Sequence, residues 1–251
     1  MAPPGLGLVE PGERDNETAQ PGEFNDALGR QAAISTALAL VFRGNFCDLI
    51  LPNRRTTTFD KHQVIYNVGD GERTFFFLQS GLVKVGTITA NGREVIYDVR
   101  KGGDVVGELC ASERVRPDRA VALEQTDAIP VPFEDVMALL SQQPGLAAVL
   151  IDVFCRALKE AYDQVNTLAA DDTVERLIKV LTGLATKIGR RSGSLIEIPT
   201  YLTQEEIAQM VAARRERIST ALNSLRRRGI VRYSTRGHLA LDMNALESRS
   251  L

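Results

Sequence analysis

The sequence predicts an α+β protein that combines a small antiparallel β-roll, one long helix, and a C-terminal pair of short helices followed by a two-stranded wing. Three observations predict it. Short alternating apolar segments with glycines between them run from 55 to 135, a helical apolar period runs from 145 to 169, and a basic two-helix pattern follows near the C-terminus. With 251 residues, 44% of them apolar, the chain is long enough to bury such cores.

The order of these patterns divides the chain into four segments. Residues 1–30 are rich in proline, glycine and acidic residues without an apolar period, which predicts a flexible acidic tail. Residues 31–143 are expected to form the roll with flanking helices, 144–170 the long helix, and 171–251 the C-terminal unit.

Composition argues against several classes of protein. No run approaches the roughly 18 apolar residues that a membrane span needs, and no secretory signal is present, so we expect a cytoplasmic protein with no membrane partner. The three cysteines, Cys47, Cys110 and Cys155, form no CxxC pair, and there are only two histidines. We therefore expect reduced thiols and no metal centre.

The predicted roll begins with alternation of Val64, Tyr66 and Val68, which is typical of a strand. The stretch "TFFFLQSGLVKVGTIT" predicts two more strands around Gly81, and the Asn-Gly pair of "ANGRE" predicts a hairpin turn. Short strands at this spacing predict a small antiparallel barrel or roll.

The long helix carries a continuous apolar stripe. Its members are Leu150, Phe154, Ala157, Ala161, Val165 and Leu168. A helix of this length extends roughly 35 Å, more than a small roll can cover, so we interpret the stripe as a dimer seam between two copies of the chain. The alternative is a core helix of a single monomer.

The C-terminal unit begins with a helix over 173–189, a polar loop "RRSGS" and a strand "LIEIPT". A short helix opened by Thr203 as N-cap follows, and about four residues, "VAAR", join it to a second helix. Such a pair is typical of a helix-turn-helix, and "IVRYSTRGHLAL" supplies the two strands of a wing.

The second helix has an apolar face at Ile218, Ala221, Leu222 and Leu225. Its other face carries side chains suited to base edges. These are Arg215, Glu216, Ser219, Thr220 and Asn223. Arginines at the helix end and in the wing are placed for phosphates. These are Arg226, Arg227, Arg228 and Arg236.

Positive charge is concentrated in this arginine-rich segment, although the whole chain has a formal net charge of only -2. The pattern predicts salt-sensitive binding to double-stranded DNA. The alternatives are a solvated basic face, or a ligand-binding module that does not bind DNA. An enzyme is disfavoured because the sequence has no clustered His-x-His, no Gly-x-Ser-x-Gly elbow and no phosphate-binding P-loop.

Residues 55 to 245 resemble, in order, the Crp/Fnr family of transcription regulators, typified by the cyclic-AMP receptor protein and the fumarate-nitrate reductase regulator. The motifs that carry the resemblance are "VIYNVGDGERTFFFLQSGLVKV", "GREVIYDVRKGGDVVGEL" and "LTQEEIAQMVAARRERISTAL". The resemblance implies a cyclic-nucleotide-binding-like roll, a dimerisation helix and a C-terminal winged helix-turn-helix. It further implies a homodimer on near-palindromic DNA, with RNA polymerase either recruited or blocked.

On matched positions, Arg215 and Glu216 correspond to the family's base readers. Thr203 and Gln204 correspond to phosphate contacts, and Arg214 stands where a serine N-cap is common. We expect Arg214 to leave the helix start without a side-chain cap and to add a phosphate contact.

The same resemblance implies an effector pocket. Its matched positions are Gly107, Glu108 and Leu109, with Arg116 as the phosphate-binding arginine, or Arg119 under a shifted alignment. Pro117 replaces a serine that would donate to a phosphate, and it has no N–H.

On the long helix, Ala161 and Tyr162 replace a Thr-Ser pair that meets the base in members responding to cyclic AMP. We therefore expect no ordinary control by cyclic AMP and no required cofactor. The remaining possibilities are an effector-independent dimer or a pocket retuned to another ligand that stacks on Tyr162. A cyclic-nucleotide-responsive regulator is the alternative.

Other sensor types of the family fit the sequence less well. Residues 1–46 contain no cysteine for an iron–sulfur cluster. His62 is either a haem ligand or, as we expect, a structural residue. Cys110 is either a redox switch or, as we expect, a buried thiol.

Overall fold

A computed structural model describes residues 51–112, 114–198, 202–234 and 237–247. The expected acidic tail at 1–30, the flanking helices expected before residue 51, Cys47 and Arg236 lie outside the described residues. The strands are β1 Thr57–Phe59, β2 Val64–Tyr66, β3 Thr74–Ser80, β4 Leu82–Ile88, β5 Glu94–Lys101, β6 Val105–Val106, β7 Arg119–Ala122, β8 Thr126–Pro132, β9 Arg190–Ser192, β10 Leu195–Glu197, β11 Val231–Tyr233 and β12 Leu239–Asp242. The helices are α1 Phe133–Gln142, α2 Pro144–Ala170, α3 Thr173–Ile188, α4 Gln204–Val211, α5 Arg215–Arg227 and α6 Met243–Glu247.

The first eight strands form the predicted roll as two antiparallel sheets, in the orders β1-β8-β3-β6 and β2-β7-β4-β5. Consecutive strands β3 and β4 lie in different sheets, and Gly81 makes the corner between them with a φ of +87°. A Cβ there would lie 2.3 Å from Thr126 Oγ1, so only glycine fits this turn. The Asn-Gly pair lies in the β4–β5 turn, as predicted.

The predicted alternation in β2 holds for only part of the strand. Tyr66 is buried, whereas Val64 and Val68 are exposed. A register shift between Val64 and Tyr66, where β2 pairs with β7, accounts for the exposure of Val64, because a bulge changes which side chains face the core. Val68 lies in a turn beyond the end of β2.

The predicted long helix is α2, which has 27 residues and is about 40 Å long. Pro144 stands in its first turn, where a backbone N–H would have no intrahelical acceptor, so the lack of an N–H in proline costs no hydrogen bond. Near its start, Leu146, Ala147 and Leu150 pack against the roll core formed by residues such as Phe75 and Val131.

The C-terminal unit contains α3, a helix-turn-helix formed by α4 and α5, and a sheet of order β11-β12-β10-β9. Asp172 caps α3 by accepting hydrogen bonds from the backbone N–H groups of Val174 and Glu175. The prediction of a plain loop at "RRSGS" is wrong, because Arg190–Ser192 pairs with Leu195–Glu197 as a hairpin around Gly193.

The roll and the C-terminal unit share one apolar core. Leu82, Val99 and Leu123 of the roll belong to the same buried cluster as the apolar faces of α3, α4 and α5. The C-terminal unit is therefore docked on the face of the roll that carries β4 and β5. Within the described residues, no helix is long and apolar enough to cross a bilayer.

Candidate nucleic-acid interface and effector pocket

Helix α5 separates its residues onto two faces as the sequence predicts. Ile218, Leu222 and Leu225 are at most 1% exposed and fix the helix on the core. The opposite face is open to solvent. Arg215, Glu216, Thr220 and Asn223 are exposed, and Ser219 is half-buried. This face presents an arginine and a glutamate one helical turn ahead of small hydroxyls, which suits hydrogen bonding to base edges in a major groove.

The hydroxyl of Thr220 is already engaged as a donor. Its Oγ1 lies 3.0 Å from the backbone carbonyl of Glu216, to which it donates. The oxygen keeps its lone pairs, so Thr220 is arranged to accept a hydrogen bond from a base or to place its methyl group against thymine.

The start of α4 is held by a capping box. Thr203 Oγ1 accepts from the backbone N–H of Glu206 at 3.1 Å, and Glu206 accepts from the backbone N–H of Thr203 at 3.0 Å. Thr203 Oγ1 also donates to Glu206 at 2.9 Å. Its hydroxyl is therefore engaged inside the box, and the backbone N–H groups at the start of α4, such as that of Gln204, have no intrahelical acceptor. Phosphate contact by Thr203 and Gln204 stays a prediction.

The same glutamate is held by the roll. Lys84 Nζ lies 3.3 Å from Glu206 Oε1. Burial alone would raise the pKa of Glu206, but hydrogen bonds from Thr203 and the charge of Lys84 hold it below its ordinary value. Glu206 is therefore an anion that joins the helix-turn-helix to the roll.

The arginines at the end of α5 surround a helix terminus whose geometry is well defined. Gly229 has a φ of +75°, and its backbone N–H donates to the carbonyl oxygen of Arg226. The backbone N–H of Ile230 donates to the carbonyl oxygen of Leu225, as in a Schellman motif. Arg226, Arg227 and Arg228 are exposed, and the Arg226 guanidinium lies 5.5 Å from the Tyr233 ring centroid. At the other end, Arg214 is the exposed N-cap of α5 and makes no side-chain capping bond, as the sequence predicts.

Arg116, the arginine that the resemblance assigns to an effector phosphate, is buried among groups of the protein itself. Arg116 is 2% exposed, and its guanidinium donates to the carbonyl oxygens of Gly107 at 3.2 Å and Thr74 at 2.5 Å. The guanidinium stacks on Tyr66, 3.9 Å from the ring centroid. A Cβ on Gly107 would lie 2.8 Å from Arg116 Nη1, so glycine makes room for this arginine.

A buried carboxylate stands beside this arginine. Asp118 is 1% exposed and accepts a hydrogen bond from the hydroxyl of Tyr66 at 2.9 Å. Burial raises the pKa of Asp118, and burial with the nearby carboxylates of Glu108 and Asp118 raises the pKa of Tyr66. The Tyr66 hydroxyl and the Asp118 carboxyl group thus lie beside Arg116 in the buried centre of the roll.

The remaining predicted pocket residues are distributed differently. Glu108 pairs with Arg100 at 3.3 Å, while Arg119 turns toward Glu94 at 3.7 Å, so Arg116 rather than Arg119 lies beside Gly107. Leu109 is 43% exposed. Tyr162 is 61% exposed on α2, and no contact within the described residues joins it to Arg116.

Two side chains raised earlier as alternative sensors have ordinary surroundings. Cys110 is buried, and burial raises the pKa of its thiol, which supports the buried-thiol interpretation. His62 is exposed in a turn, and its backbone N–H donates to the carbonyl oxygen of Ala122 at 2.7 Å. Among the described residues, no cluster of His, Cys, Asp and Glu is placed to hold a metal ion.

Helix α2 leaves a stripe of apolar side chains in solvent. The stripe consists of Ile151, Phe154, Leu158, Ala161, Val165 and Leu168. Its members alternate steps of three and four residues, the spacing of a coiled-coil seam. The predicted set shares four of these six residues and differs at two positions, because Leu150 packs on the roll and Ala157 is half-buried, while Ile151 and Leu158 are exposed.

The sequence did not assign Tyr66, Asp118 or Arg100 to the pocket, yet they complete the polar centre of the roll. They come from three separate strands or loops, and only folding brings them to Arg116 and Glu108. The one available signal was the charged segment from Arg114 to Arg119, which stands among short apolar strands and ends at β7.

Comparison with known families matches both halves of the chain. The cyclic nucleotide-binding domain matches residues 56–143, and the Crp-like helix-turn-helix domain matches residues 175–249. A CRP-like cAMP-activated global transcriptional regulator of Mycobacterium tuberculosis is 27% identical over 193 residues, which cover 76% of this chain and 86% of that protein.

Two further similarities agree with this. The fumarate and nitrate reduction regulatory protein of Escherichia coli is 26% identical over 177 residues, which cover 70% of this chain and 71% of that protein. The solved structure of a CooA variant from Carboxydothermus hydrogenoformans has a TM-score of 0.67 at 22% identity, covering 85% of this chain and 95% of that chain. At this identity, the structural likeness establishes the fold alone.

Proposed function

Because this chain belongs to the Crp/Fnr family of DNA-binding transcription regulators, we propose that it acts in the cytoplasm as a homodimer on near-palindromic double-stranded DNA. The observation that carries the proposal is the solvent-exposed polar face of α5, held by a fully buried apolar face. Arg215 and Glu216 read bases, with Ser219, Thr220 and Asn223 beside them. RNA polymerase is the further partner that such a regulator recruits or blocks.

The phosphates are bound by groups around both ends of the helix-turn-helix. Arg226, Arg227 and Arg228 lie at the end of α5, and Arg214 lies at its start. The N–H groups at the start of α4 add a neutral anchor. Their shared role is to fix the register of α5 on the duplex, while sequence discrimination comes from Arg215 and Glu216.

The second copy of the chain pairs along the exposed stripe of α2. Phe154 is 38% exposed, Leu158 52% and Val165 60%, an unusual exposure for side chains that repeat on one helix face. Packing two such stripes together removes them from water and sets the distance between the two recognition helices.

Control by cyclic AMP in the usual way is not part of the proposal. The Nη1 and Nη2 groups of Arg116 already donate to Gly107 and Thr74, and its Nε is buried without a hydrogen-bond partner among the described residues, which leaves fewer donors for a phosphate. Pro117 offers no N–H. We therefore assign this regulator either no effector or a ligand other than cyclic AMP.

The alternative is a cyclic-nucleotide-responsive regulator. It is favoured by the closeness of Gly107, Glu108 and Arg116 in the pocket, and by the cAMP-activated relative from Mycobacterium tuberculosis. Calorimetric titration with cyclic AMP separates the two. Micromolar binding that strengthens DNA affinity would favour the alternative.

The test of the main proposal begins with selection of bound sequences from random duplex DNA. Arg215→Ala is then compared with wild type on the selected duplex by gel shift at several salt concentrations. We expect weakened and less selective binding. Equal binding by the variant would instead support a ligand-binding module that does not read DNA.

A further inference from the structure

A line of charged side chains crosses from the effector pocket to the C-terminal unit. Glu108 pairs with Arg100 at 3.3 Å, and Arg100 Nε lies 2.9 Å from Asp98 on the same strand. Asp98 binds Lys187 in the last turn of α3, with both carboxylate oxygens 2.7 Å from Lys187 Nζ. These ion pairs join Glu108, strand β5 and the C-terminal unit, although the contact between Arg100 Nε and Asp98 is one of charge and not a hydrogen bond.

These groups are sheltered from solvent. The side chain of Lys187 is 11% exposed, that of Arg100 13% and that of Glu108 17%, whereas Asp98 is 36% exposed. Burial alone would raise the pKa of Asp98, but Lys187 and Arg100 lower it. Charges at such sites interact more strongly than ion pairs in full solvent.

The docked orientation leaves the DNA-reading face open. The roll holds α4 through Lys84 and Glu206, and Arg93 donates to the carbonyl of Ala213 in the turn at 3.4 Å. Arg215 and Glu216, which follow this turn, remain exposed. Docking on the roll therefore holds the helix-turn-helix while Arg215 and Glu216 stay exposed to solvent.

From this geometry we infer that Asp98 is a positioning residue that connects Glu108, through Arg100, to Lys187 and so holds the DNA-binding unit in its DNA-competent orientation. The inference rests on the proposed function as a DNA reader. Arg100 lies between the carboxylates of Glu108 and Asp98. A change at Glu108 therefore alters how strongly Arg100 interacts with Asp98. That change in turn alters how firmly Asp98 holds Lys187.

The first experiment compares three lysine variants on the duplex selected above, by fluorescence anisotropy. Lys187→Gln is expected to weaken DNA binding about five- to tenfold. The orientation of the C-terminal unit must then be fixed when DNA binds, and this cost in free energy lowers the affinity. Lys187→Arg keeps the charge and is expected to retain affinity. Lys179→Gln is the matched control, since Lys179 lies on the same helix but pairs with Asp171, outside the roll.

The second experiment is a double-mutant cycle. Glu108→Gln is expected to weaken DNA binding two- to threefold in the wild-type background and to have no effect in an Asp98→Asn background. A structural effect of Glu108 alone would persist in both backgrounds. Equal losses in the two backgrounds would overturn the connection through Asp98.

Hydrogen exchange of the DNA-free protein provides a readout that does not need DNA. Lys187→Gln is expected to speed exchange at β5 and the end of α3, and Lys179→Gln is not. If the wild-type protein bound no duplex, the proposed function would fail. Hydrogen exchange would still test whether Asp98 and Lys187 position the C-terminal unit. If Lys187→Gln lost helix content, Asp98→Asn would replace it. Unchanged affinity and exchange in the folded variant would overturn the inference.

Discussion

The hydroxyl of Tyr66 donates to the buried carboxylate of Asp118 at 2.9 Å, directly beside the guanidinium that Tyr66 stacks upon. One aromatic side chain thereby donates to a buried carboxyl group and covers a cation in the centre of the roll. The pair occupies the region in which the resemblance to cyclic-nucleotide-binding domains predicts a ligand phosphate.

Tyr66→Phe should destabilise the protein by about 1 to 3 kcal/mol, because it leaves a buried carboxyl group without its hydrogen-bond donor. Urea unfolding followed by circular dichroism measures the change. The same substitution at Tyr97, which is 47% exposed, should alter stability by less than about 0.5 kcal/mol. Equal effects at the two tyrosines would contradict the role assigned to this hydrogen bond.

Arg215→Ala and Arg227→Ala should weaken DNA binding in different ways. Loss of Arg215 should cost about 1 to 3 kcal/mol on the selected site and relax specificity at one base pair. Loss of Arg227 should weaken all sequences alike and reduce the salt slope by about 1.

Anisotropy titrations at several salt concentrations, on the selected duplex and a scrambled one, distinguish these effects. Arg55→Ala, an exposed site on the roll, is the control and should bind as wild type. A uniform loss for Arg215→Ala would argue against base reading by that side chain.

Leu158→Lys should convert a dimer into a monomer, because it places a charge in the middle of the apolar stripe on α2. Sedimentation equilibrium measures the mass directly. Asn166→Lys, on the same helix but outside the stripe, is the control and should remain dimeric. A dimer of undiminished affinity in Leu158→Lys would mean that the two copies pair elsewhere.

Glu160 should make stability dependent on pH. Burial, reinforced by the charge of Asp98, raises the pKa of Glu160 to about 7 from 4.5. A carboxyl whose folded pKa is raised contributes stability fully below its unfolded pKa, and this is lost as pH rises through about 7. Lys187, Arg100 and Asp163 are the other charged groups that act on it.

The measurement is the unfolding free energy of wild type and Glu160→Gln at pH 5 and pH 8, at one fixed protein concentration. Relative to the variant, wild type should lose about 1 to 2 kcal/mol across this range after allowance for partial solvent screening. Glu134→Gln, at an exposed site on α1, is the control. Parallel pH profiles for wild type and Glu160→Gln would refute the assignment.

Ala212→Gly should stabilise the chain by up to about 1 kcal/mol, because Ala212 adopts a φ of 54° at the end of α4, where a Cβ is disfavoured. The neighbouring substitution Ala213→Gly relieves no such strain and should destabilise by about 0.5 to 1 kcal/mol. Thermal and urea unfolding of the two variants give the comparison. Changes in unfolding free energy of the same sign for both variants would contradict the strain argument.

Local patterns predicted much of the fold because their physical causes are local. The cap at Thr203, the periodicity of α2 and the two faces of α5 each depend on residues within a turn or two of one another. The predicted seam contains Leu150 and Ala157, whereas the exposed stripe of α2 has Ile151 and Leu158 in their place, because apolar residues lie on two adjacent faces of this helix. One face meets the roll and the other is exposed.

The pocket and the docking contacts depend on long-range pairing, which no local pattern records. Tyr66 and Asp118 are 52 residues apart, and Lys187 and Asp98 are 89 apart. The sequence identified Arg116 through its resemblance to a known motif, but not the neighbours that satisfy it. Polar groups that meet only after folding are visible only in the structure.

The carboxylate of Glu206 completes the cap of α4 and also holds Lys84 of strand β4. One side chain therefore belongs to a helix terminus and to a strand 122 residues away. Unfolding of the roll would remove this cation from Glu206 and would expose the apolar core that the roll shares with α3, α4 and α5. The two halves of the chain should consequently melt in a single cooperative transition, and a fragment that lacks the roll would start with a weakened first helix in its reading motif.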